Sequence, residues 1–250
     1  MPKIDYRKTS PETAALGYFD TRPQLPYMIP LFAFLIVYLP TTFGKFGGLD
    51  WQKFWFDHHP FFYGLKTLLA AVLLWYFWRY FTQIRWTHLG LGVAIGLLGT
   101  VQWIGTEYFA QWVGLSKGAD YKWVYNPDLM LGQMTWAAWA YLIVRVVGPT
   151  LVVPIMEEVF FRDFLQRAFI RGGHFQDVPV GTFTWFSLIG VAAVFGINHG
   201  HMWLAGFGYG LLMGLLVIRT KSIGACIVAH AVTNLTLYLY VIYTGDWQFM

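Results

Sequence analysis

The stretch FFYGLKTLLAAVLLWYFWRYF, residues 61–81, has the length and composition of a membrane-spanning helix. A helix needs about 20 predominantly apolar residues to cross the hydrocarbon core of a bilayer. The whole chain is 57% hydrophobic and only 12% charged, whereas an ordinary soluble domain has about 25% charged residues. The sequence therefore predicts an integral membrane protein.

Similar apolar runs recur along the chain. They cover residues 25–42, 61–81, 88–106, 133–171, 182–199, 203–219 and 222–243. Their length and their lack of sustained alternation argue against barrel strands, and Gly206, Gly210 and Gly214 have the spacing of a helix-packing face. We expect an all-α fold, a polytopic transmembrane bundle of about seven or eight helices.

The distribution of Lys and Arg predicts the orientation of this bundle. Residues 1–24 are polar and lack the apolar stretch of a signal peptide, so we expect a retained cytoplasmic tail. With seven spans, the inside segments hold Lys3, Arg7, Lys8, Arg22, Arg79, Arg85, Arg167, Arg171, Arg219 and Lys221, and the outside loops hold Lys45, Lys53, Lys117 and Lys122. Basic residues concentrate on the cytoplasmic side, which favours a cytoplasmic N-terminus.

The run 133–171 does not fit a single straight span. It is too long for one crossing at 1.5 Å per residue, and Gly148, Pro149 and Pro154 are expected to break or kink it. If this run formed two full spans, the later basic residues would lie outside, which the positive-inside rule disfavours. These residues are Arg167, Arg171, Arg219 and Lys221. We therefore predict a broken or re-entrant helix here.

The remaining composition excludes several classes of function. No basic block or aromatic-interleaved motif indicates nucleic acid. Cys226 is the one cysteine, so an intramolecular disulfide is impossible. Nothing in the sequence indicates an oligomeric state.

Two adjacent glutamates lie inside the long run, in PIMEEVFFRDF (residues 154–164). Charged residues at the bilayer centre cost about 2.5–3.5 kcal/mol each on insertion scales. Glu158 and Arg162 are four residues apart on one helix face and are expected to form an ion pair. Glu157 points about 100° away and has no such partner in its own helix, which makes it a candidate general base. The alternative is that both glutamates only stabilise a kinked helix.

Two further polar clusters interrupt apolar runs. The first, VFGINHGHMW, contains His199 near the end of a run, where a histidine is often merely interfacial. In the second, CIVAHAVTNLTLY, His230 and Asn234 share one face of a helix. Such a pair suits an oxyanion or a metal better than it suits lipid, although the two side chains could also simply satisfy each other. Together, the three clusters supply the groups that water-mediated peptide hydrolysis needs.

The motifs resemble those of a known family. EEVFFR (157–162) is similar to EExxxR, FGINH (195–199) to FxxxH and HAVTN (230–234) to HxxxN. In order and spacing they resemble the CPBP or Abi family, which includes the CAAX prenyl endoproteases of the Ras-converting type and many bacterial relatives. The resemblance covers about residues 150–240. It implies a catalytic transmembrane core at 131–245 and variable transmembrane helices at 25–130, after the tail at 1–24.

The resemblance implies a glutamate-type intramembrane endopeptidase. Glu157 and His199 would activate the attacking water, and His230 and Asn234 would stabilise the oxyanion. Glu158 and Arg162 would shape the site. The implied substrate is a membrane-associated or lipidated peptide or protein cut near its C-terminus, and no metal or other cofactor is expected. We expect the protein in a bacterial plasma membrane, where the lipid bilayer surrounds it.

Other functions remain open at this stage. Glu157, Glu158, His199 and His230 could instead bind zinc, although no HExxH-type spacing is present. Cys226, His230 and Asn234 could form a thiol site, since they are spaced four residues apart. A non-hydrolytic binding, immunity or scaffold protein, or a transporter with an acidic relay, would also contain buried Glu and His.

Overall fold

The computed structural model describes residues 17–37, 39, 45–119, 124, 126, 127 and 135–249. The described residues are predominantly helical, which confirms the predicted all-α class. Residues 1–16 and Lys122, which entered the orientation argument, lie outside the described residues. The α-helices are α1 Leu25–Ile36, α2 Trp51–Asp57, α3 His59–Phe77, α4 Leu89–Trp112, α5 Trp136–Val147, α6 Val153–Glu158, α7 Gln166–Arg171, α8 Trp185–Asn198, α9 Trp203–Thr220 and α10 Ile223–Thr244.

The helices account for every predicted apolar run. Five helical segments of the described chain are long and apolar enough to cross a membrane: His59–Tyr80, Leu89–Trp112, Trp136–Asp177, Gly200–Thr220 and Ile223–Thr244. Helices α1 and α8 are apolar but shorter. Large apolar side chains such as Trp75 and Trp136 are 79% and 84% exposed on the outside of the bundle, where a bilayer would cover them.

One short hairpin departs from the all-helical pattern. Strands β1 Lys45–Phe46 and β2 Leu49–Asp50 pair antiparallel. Gly47 and Gly48 form the turn, with φ of 62° and 81°. Two-residue hairpin turns of this kind need left-handed backbone at both positions, and glycine adopts it without strain. Asp50 then caps α2, because its carboxylate accepts a hydrogen bond from the Lys53 N–H at 3.0 Å.

The segment Trp136–Asp177, here called the long helical run, extends through 42 residues. The predicted break takes the form of two π-helical turns, Gly148–Val152 and Val159–Leu165, and the backbone between Trp136 and Arg171 does not reverse. Pro149 lies in the first π turn, and Pro154 is the second residue of α6, which follows that turn. Proline has no backbone N–H to donate to the preceding turn. The wider π turn relieves the clash between the proline ring and that turn.

Helices α4 and α10 pack closely because glycine lines their contact. A Cβ at Gly96 would lie 2.5 Å from the Ala229 carbonyl oxygen and 2.7 Å from the Val232 Cβ. The close approach lets the Thr233 hydroxyl donate to the Gly96 carbonyl at 2.8 Å. The Ser222 hydroxyl fixes the start of α10 by accepting from the Ala225 N–H at 3.1 Å. The position of α10 is therefore set along its length.

The GxxxG face of α9 packs against α8, as its spacing predicts. Added Cβ atoms at Gly206 and Gly210 would lie 3.1 Å from the Gly196 Cα and 2.8 Å from the Ala192 Cα, respectively. At Gly214 the neighbouring side chain is Leu188. The three glycines thus remove the side chains that would hold the two helices apart.

We expect Gly96→Ala to lower the stability of the bundle, because the new methyl group collides with the backbone and side chains of α10. Gly105→Ala on the same helix is the matched control, since nothing lies within 4 Å of a Cβ there. It should leave stability unchanged or raise it by up to about 1 kcal/mol, because alanine is the better helix former. Thermal unfolding in detergent measures the stability of both variants. An equal change in melting temperature would contradict the close packing of α4 against α10 at Gly96.

Candidate active site

A cavity of about 390 Å³ lies among the helices. Four of the six side chains predicted from the sequence line it, from three separate parts of the chain. They are Glu157, His199, His230 and Asn234. The other two, Glu158 and Arg162, are fully buried and do not line the cavity.

Glu158 connects the long helical run to α10. Its Oε2 accepts from the Arg162 Nε–H at 3.2 Å, the ion pair predicted from the four-residue spacing. Its Oε1 accepts from the His230 Nδ1–H at 2.9 Å. Both partners satisfy a carboxylate that is 0% exposed, as a buried charge requires. Because the Nδ1 of His230 binds Glu158, the other ring nitrogen, Nε2, is the one that faces the cavity.

Glu157 occupies a different environment although it is the next residue. It is 6% exposed and lines the cavity. Its Oε2 has no hydrogen-bond partner among the described residues and lies 4.0 Å from the His230 Nε2. A carboxylate oxygen without a partner at a cavity wall can accept a proton from a molecule inside the cavity.

His199 is held by its own helix end. Its Nδ1–H donates to the Phe195 carbonyl at 2.7 Å, and its ring stacks on the Phe195 ring at a centroid distance of 4.4 Å. Trp103 packs edge-on against it at 5.0 Å. A carbonyl only accepts, so the proton must be on Nδ1, and the neutral ring keeps a lone pair on Nε2. The four-residue spacing of FGINH produces this contact.

Asn234 lies four residues beyond His230 on the same face of α10. Its amide nitrogen donates to the Pro149 carbonyl at 2.8 Å. His230 and Asn234 therefore do not satisfy each other, which was the alternative left open by the sequence. An amide NH₂ has two N–H donors, so the contact with Pro149 leaves Asn234 a second donor at the cavity wall.

The length of α8 explains how His199 reaches the cavity. Helix α8 has 14 residues, about 21 Å at 1.5 Å per residue, so it is too short to cross the full hydrocarbon core. The Thr184 hydroxyl fixes its start by accepting from the Ser187 N–H at 3.0 Å. Since the helix begins late and ends at Asn198, His199 lies at the level of the cavity.

Two cavity-lining cations were not identified as site residues from the sequence. Lys66 on α3 and Arg145 on α5 both line the cavity. The available signal was their position inside apolar runs, because intramembrane charges are rare and tend to be functional. His201 and Tyr209 also line the cavity. Tyr209 supports α10, since its hydroxyl donates to the Thr233 hydroxyl at 3.0 Å.

The thiol and zinc alternatives find little support in this geometry. Cys226 is fully buried and does not line the cavity. Among the described residues, no group of three or more His, Cys, Asp or Glu side chains is arranged to hold a metal ion. The zinc alternative therefore has no assembled ligand set in this part of the chain.

Part of the chain matches a known protein family. Residues 135–236 match the family model described as Type II CAAX prenyl endopeptidase Rce1-like. No curated protein and no solved structure matches the chain. The matched segment contains all six predicted site residues and both π turns, whereas Lys66 lies outside it.

We expect Arg162→Met to destabilise the protein by about 3–5 kcal/mol, because the buried Glu158 carboxylate loses its cationic partner. Lys53→Met is the matched control. It breaks the Lys53–Asp57 pair, which has the same four-residue spacing but side chains that are 65% and 41% exposed, and its effect should stay within about 1 kcal/mol. Equilibrium unfolding in mixed micelles measures the stability of both variants. Equal losses would show that burial of the Glu158 pair is not important for stability.

Proposed function

Because residues 135–236 place this chain in the CPBP/CAAX protease family, we propose that it is a glutamate-dependent intramembrane endopeptidase. It hydrolyses a peptide bond near the C-terminus of a membrane-associated or lipidated substrate. The observation that carries the proposal is the position of Glu157 Oε2, which accepts no hydrogen bond from the described residues, at the wall of a cavity shared with His199, His230 and Asn234.

The proposed reaction begins with water between Glu157 and His199. Glu157 takes a proton from the water while the water oxygen attacks the peptide carbonyl carbon, and the Nε2 lone pair of His199 accepts a hydrogen bond that orients the water. The carbonyl oxygen becomes an oxyanion. Asn234 stabilises it with its second amide N–H, and His230 does so from Nε2 when its ring is protonated. The C–N bond then breaks as the leaving amine receives the proton from Glu157.

Glu158 and Arg162 act in this proposal by positioning. Glu158 accepts from the His230 Nδ1–H, so it holds the ring in one orientation and stabilises a positive charge on it. Arg162 keeps Glu158 ionised inside the bundle. Neither side chain lines the cavity. The reaction as written requires no cofactor.

The experiment is cleavage of a quenched fluorescent membrane-peptide library by the purified protein in detergent. Glu157→Gln should reduce cleavage by about a hundredfold to ten-thousandfold, the range that general-base catalysis contributes. Cys226→Ala should cleave like the wild type, and a chelator should have no effect. Wild-type protein that is folded but cleaves no member of the library would favour a binding or scaffold role for the same fold.

The proposal includes an orientation, with a cytoplasmic N-terminus in a bacterial plasma membrane. Arg85, Arg167 and Lys221 lie around one end of the bundle, where the Ser222 hydroxyl donates to the Arg85 carbonyl and Arg167 donates to Thr82. Arg79, Arg171 and Arg219 end their helices there as well. The opposite end has the exposed Lys53 and Lys117. The positive-inside rule assigns the arginine-rich end to the cytoplasm.

This orientation directs the cavity away from the cytoplasm. The cavity is lined by the second half of α1, the first half of α3, the residue that follows α8 and the His230–Tyr238 stretch of α10. The α10 stretch begins near the middle of its helix, and the other parts lie toward the end that contains few basic residues. The substrate would therefore enter from the bilayer or from the non-cytoplasmic side.

Single-cysteine labelling in intact bacterial cells tests the orientation. In a Cys226→Ala background, Lys117→Cys should react with a membrane-impermeant maleimide. Arg171→Cys should react only after the membrane is permeabilised, because it lies at the arginine-rich end. Both native side chains are exposed, so access to the thiol depends on the side of the membrane. The reverse pattern would place the arginine-rich end outside.

A further inference from the structure

A second cavity, of about 510 Å³, lies at the arginine-rich end of the bundle. Its wall consists mainly of three short stretches near the ends of helices, which contribute lining residues between positions 82 and 85, 176 and 182, and 221 and 223. Arg167 on α7 completes the lining. None of these residues lines the cavity that contains Glu157. The proposed hydrolysis therefore does not use the second cavity.

Tertiary hydrogen bonds hold the three stretches together. The Arg85 carbonyl accepts from the Ser222 hydroxyl at 2.7 Å and from the Gly224 N–H at 3.2 Å. The Lys221 ammonium donates to the Gly181 carbonyl. These contacts join parts of the chain that are far apart in sequence. The wall of the second cavity is therefore a defined tertiary structure, and its side chains are held in fixed relation to one another.

Arg167 forms the inner part of this wall. It is 4% exposed. Its Nε–H donates to the Val178 carbonyl at 2.7 Å, and its Nη1 donates to the Thr82 hydroxyl at 3.0 Å. It also forms an ion pair with the buried Asp163. Because Asp163 neutralises its charge, Arg167 joins the stretches of the wall, and we do not assign it to a ligand.

Arg85 and Lys221 supply the remaining positive charge. Both are exposed and line the cavity. The Arg85 guanidinium has no ion-pair or hydrogen-bond partner among the described residues, and Lys221 uses one of its three N–H donors on Gly181. The acidic residue of the described lining, Asp177, is paired with Arg171 at 3.4 Å. The paired charges cancel, so the cavity keeps a net positive charge.

The start of α10 adds to this positive potential. Ile223 is the first residue of this 22-residue helix, and it lines the cavity. The N-terminus of a helix carries about half a positive charge. An anion in the cavity would therefore meet the helix N-terminus together with Arg85 and Lys221. Arginine binds a phosphate group through two parallel N–H donors, which makes a phosphate the best-matched anion.

The surroundings of the cavity favour a phosphate that is attached to apolar chains. Trp86, Phe183 and Trp185 are exposed and lie next in sequence to lining residues or within three positions of them. Exposed tryptophans of this kind concentrate at the level of the lipid headgroups. Helices α4 and α8 begin here, and their first turns expose Leu91 and Ile189. Acyl chains can cover these apolar side chains while the phosphate occupies the cavity.

We propose that the second cavity binds the phosphate of an anionic phospholipid, with Arg85 and Lys221 as its ligands. The acyl chains lie along the starts of α4 and α8. This inference goes beyond the proposed endopeptidase function and does not depend on it. In the proposed orientation the site faces the cytoplasmic leaflet. Basic pockets between transmembrane helices on that side are suited to anionic headgroups.

The first test measures binding of phosphatidylglycerol that is fluorescently labelled on an acyl chain. Labelled phosphatidylcholine, which has a phosphate but no net charge, is the comparison. Anisotropy is recorded with delipidated wild type in mixed micelles. Phosphatidylglycerol should bind more tightly by on the order of tenfold, since each nearby cation contributes about fivefold. Equal binding of the two lipids would overturn the proposal.

A competition experiment separates a lipid headgroup from free phosphate, because both contain the same phosphate group. Inorganic phosphate in about hundredfold excess should displace little labelled phosphatidylglycerol, since buried acyl chains add binding free energy. Unlabelled phosphatidylglycerol should displace it fully. If inorganic phosphate displaces the lipid completely at that excess, the cavity is a site for free phosphate, and the lipid assignment is overturned.

Variants connect binding to the two cations. Arg85→Gln and Lys221→Asn should each weaken phosphatidylglycerol binding by about fivefold, and Arg85→Lys should retain most of the affinity because it keeps the charge. Asparagine is chosen at position 221 because φ is 55° there, a left-handed conformation that asparagine tolerates. Arg79→Gln is the matched control, since Arg79 is exposed at the same end but does not line the cavity.

The control decides between a site and a general surface charge. Arg79→Gln should bind like the wild type. An equal loss of affinity in Arg79→Gln and Arg85→Gln would mean that the lipid responds only to the charge of this end, and the proposal would be overturned. If Arg85→Gln or Lys221→Asn fails to fold, the comparison of the two lipids in the wild type still decides. Binding is measured without turnover, so its failure leaves the endopeptidase function untouched.

Discussion

The contact of Glu158 with Arg162 and His230 is the interaction on which the rest of the site depends. A carboxylate in the interior of a membrane bundle stays ionised only when its oxygens are paired. One oxygen of Glu158 accepts from its own helix and the other accepts from α10. This single side chain therefore fixes the His230 ring relative to the long helical run. It also leaves Glu157, about 100° around the helix from it, on the cavity side, where its Oε2 has no hydrogen-bond partner among the described residues.

Close helix packing makes this contact possible. Glycine on α4 lets α10 approach, and glycine on α9 lets α8 approach. The π turn at Gly148–Val152 lies within the row of Arg145, Pro149, Val153 and Glu157, all of which line the cavity. The result is a cavity inside the bundle with both polar and apolar walls. The polar lining includes a carboxylate, histidines and two cations that lie over aromatic rings.

Much of this arrangement follows from local sequence. Apolar runs of about 20 residues can only be helices in a bilayer, so the all-α bundle and the approximate place of every apolar helix were predictable, whereas the short α2 lies outside the predicted runs. The Glu158–Arg162 pair and the common face of His230 and Asn234 follow from helical periodicity. Proline and glycine at 148–154 indicated a disturbed helix. They did not indicate π turns, because the choice between a break and a wider turn depends on neighbouring helices.

The sequence by itself determined the fold class and the six polar residues of the motifs, since both depend on spacing along the chain. Only the tertiary structure decided that Glu158 binds His230 and that Asn234 binds Pro149 instead of His230. It also brought Lys66 and Arg145 into the same cavity as Glu157. Residues 66, 145 and 230 are far apart in sequence, and no local periodicity relates them. Their proximity results from close packing between helices, which a linear pattern does not encode.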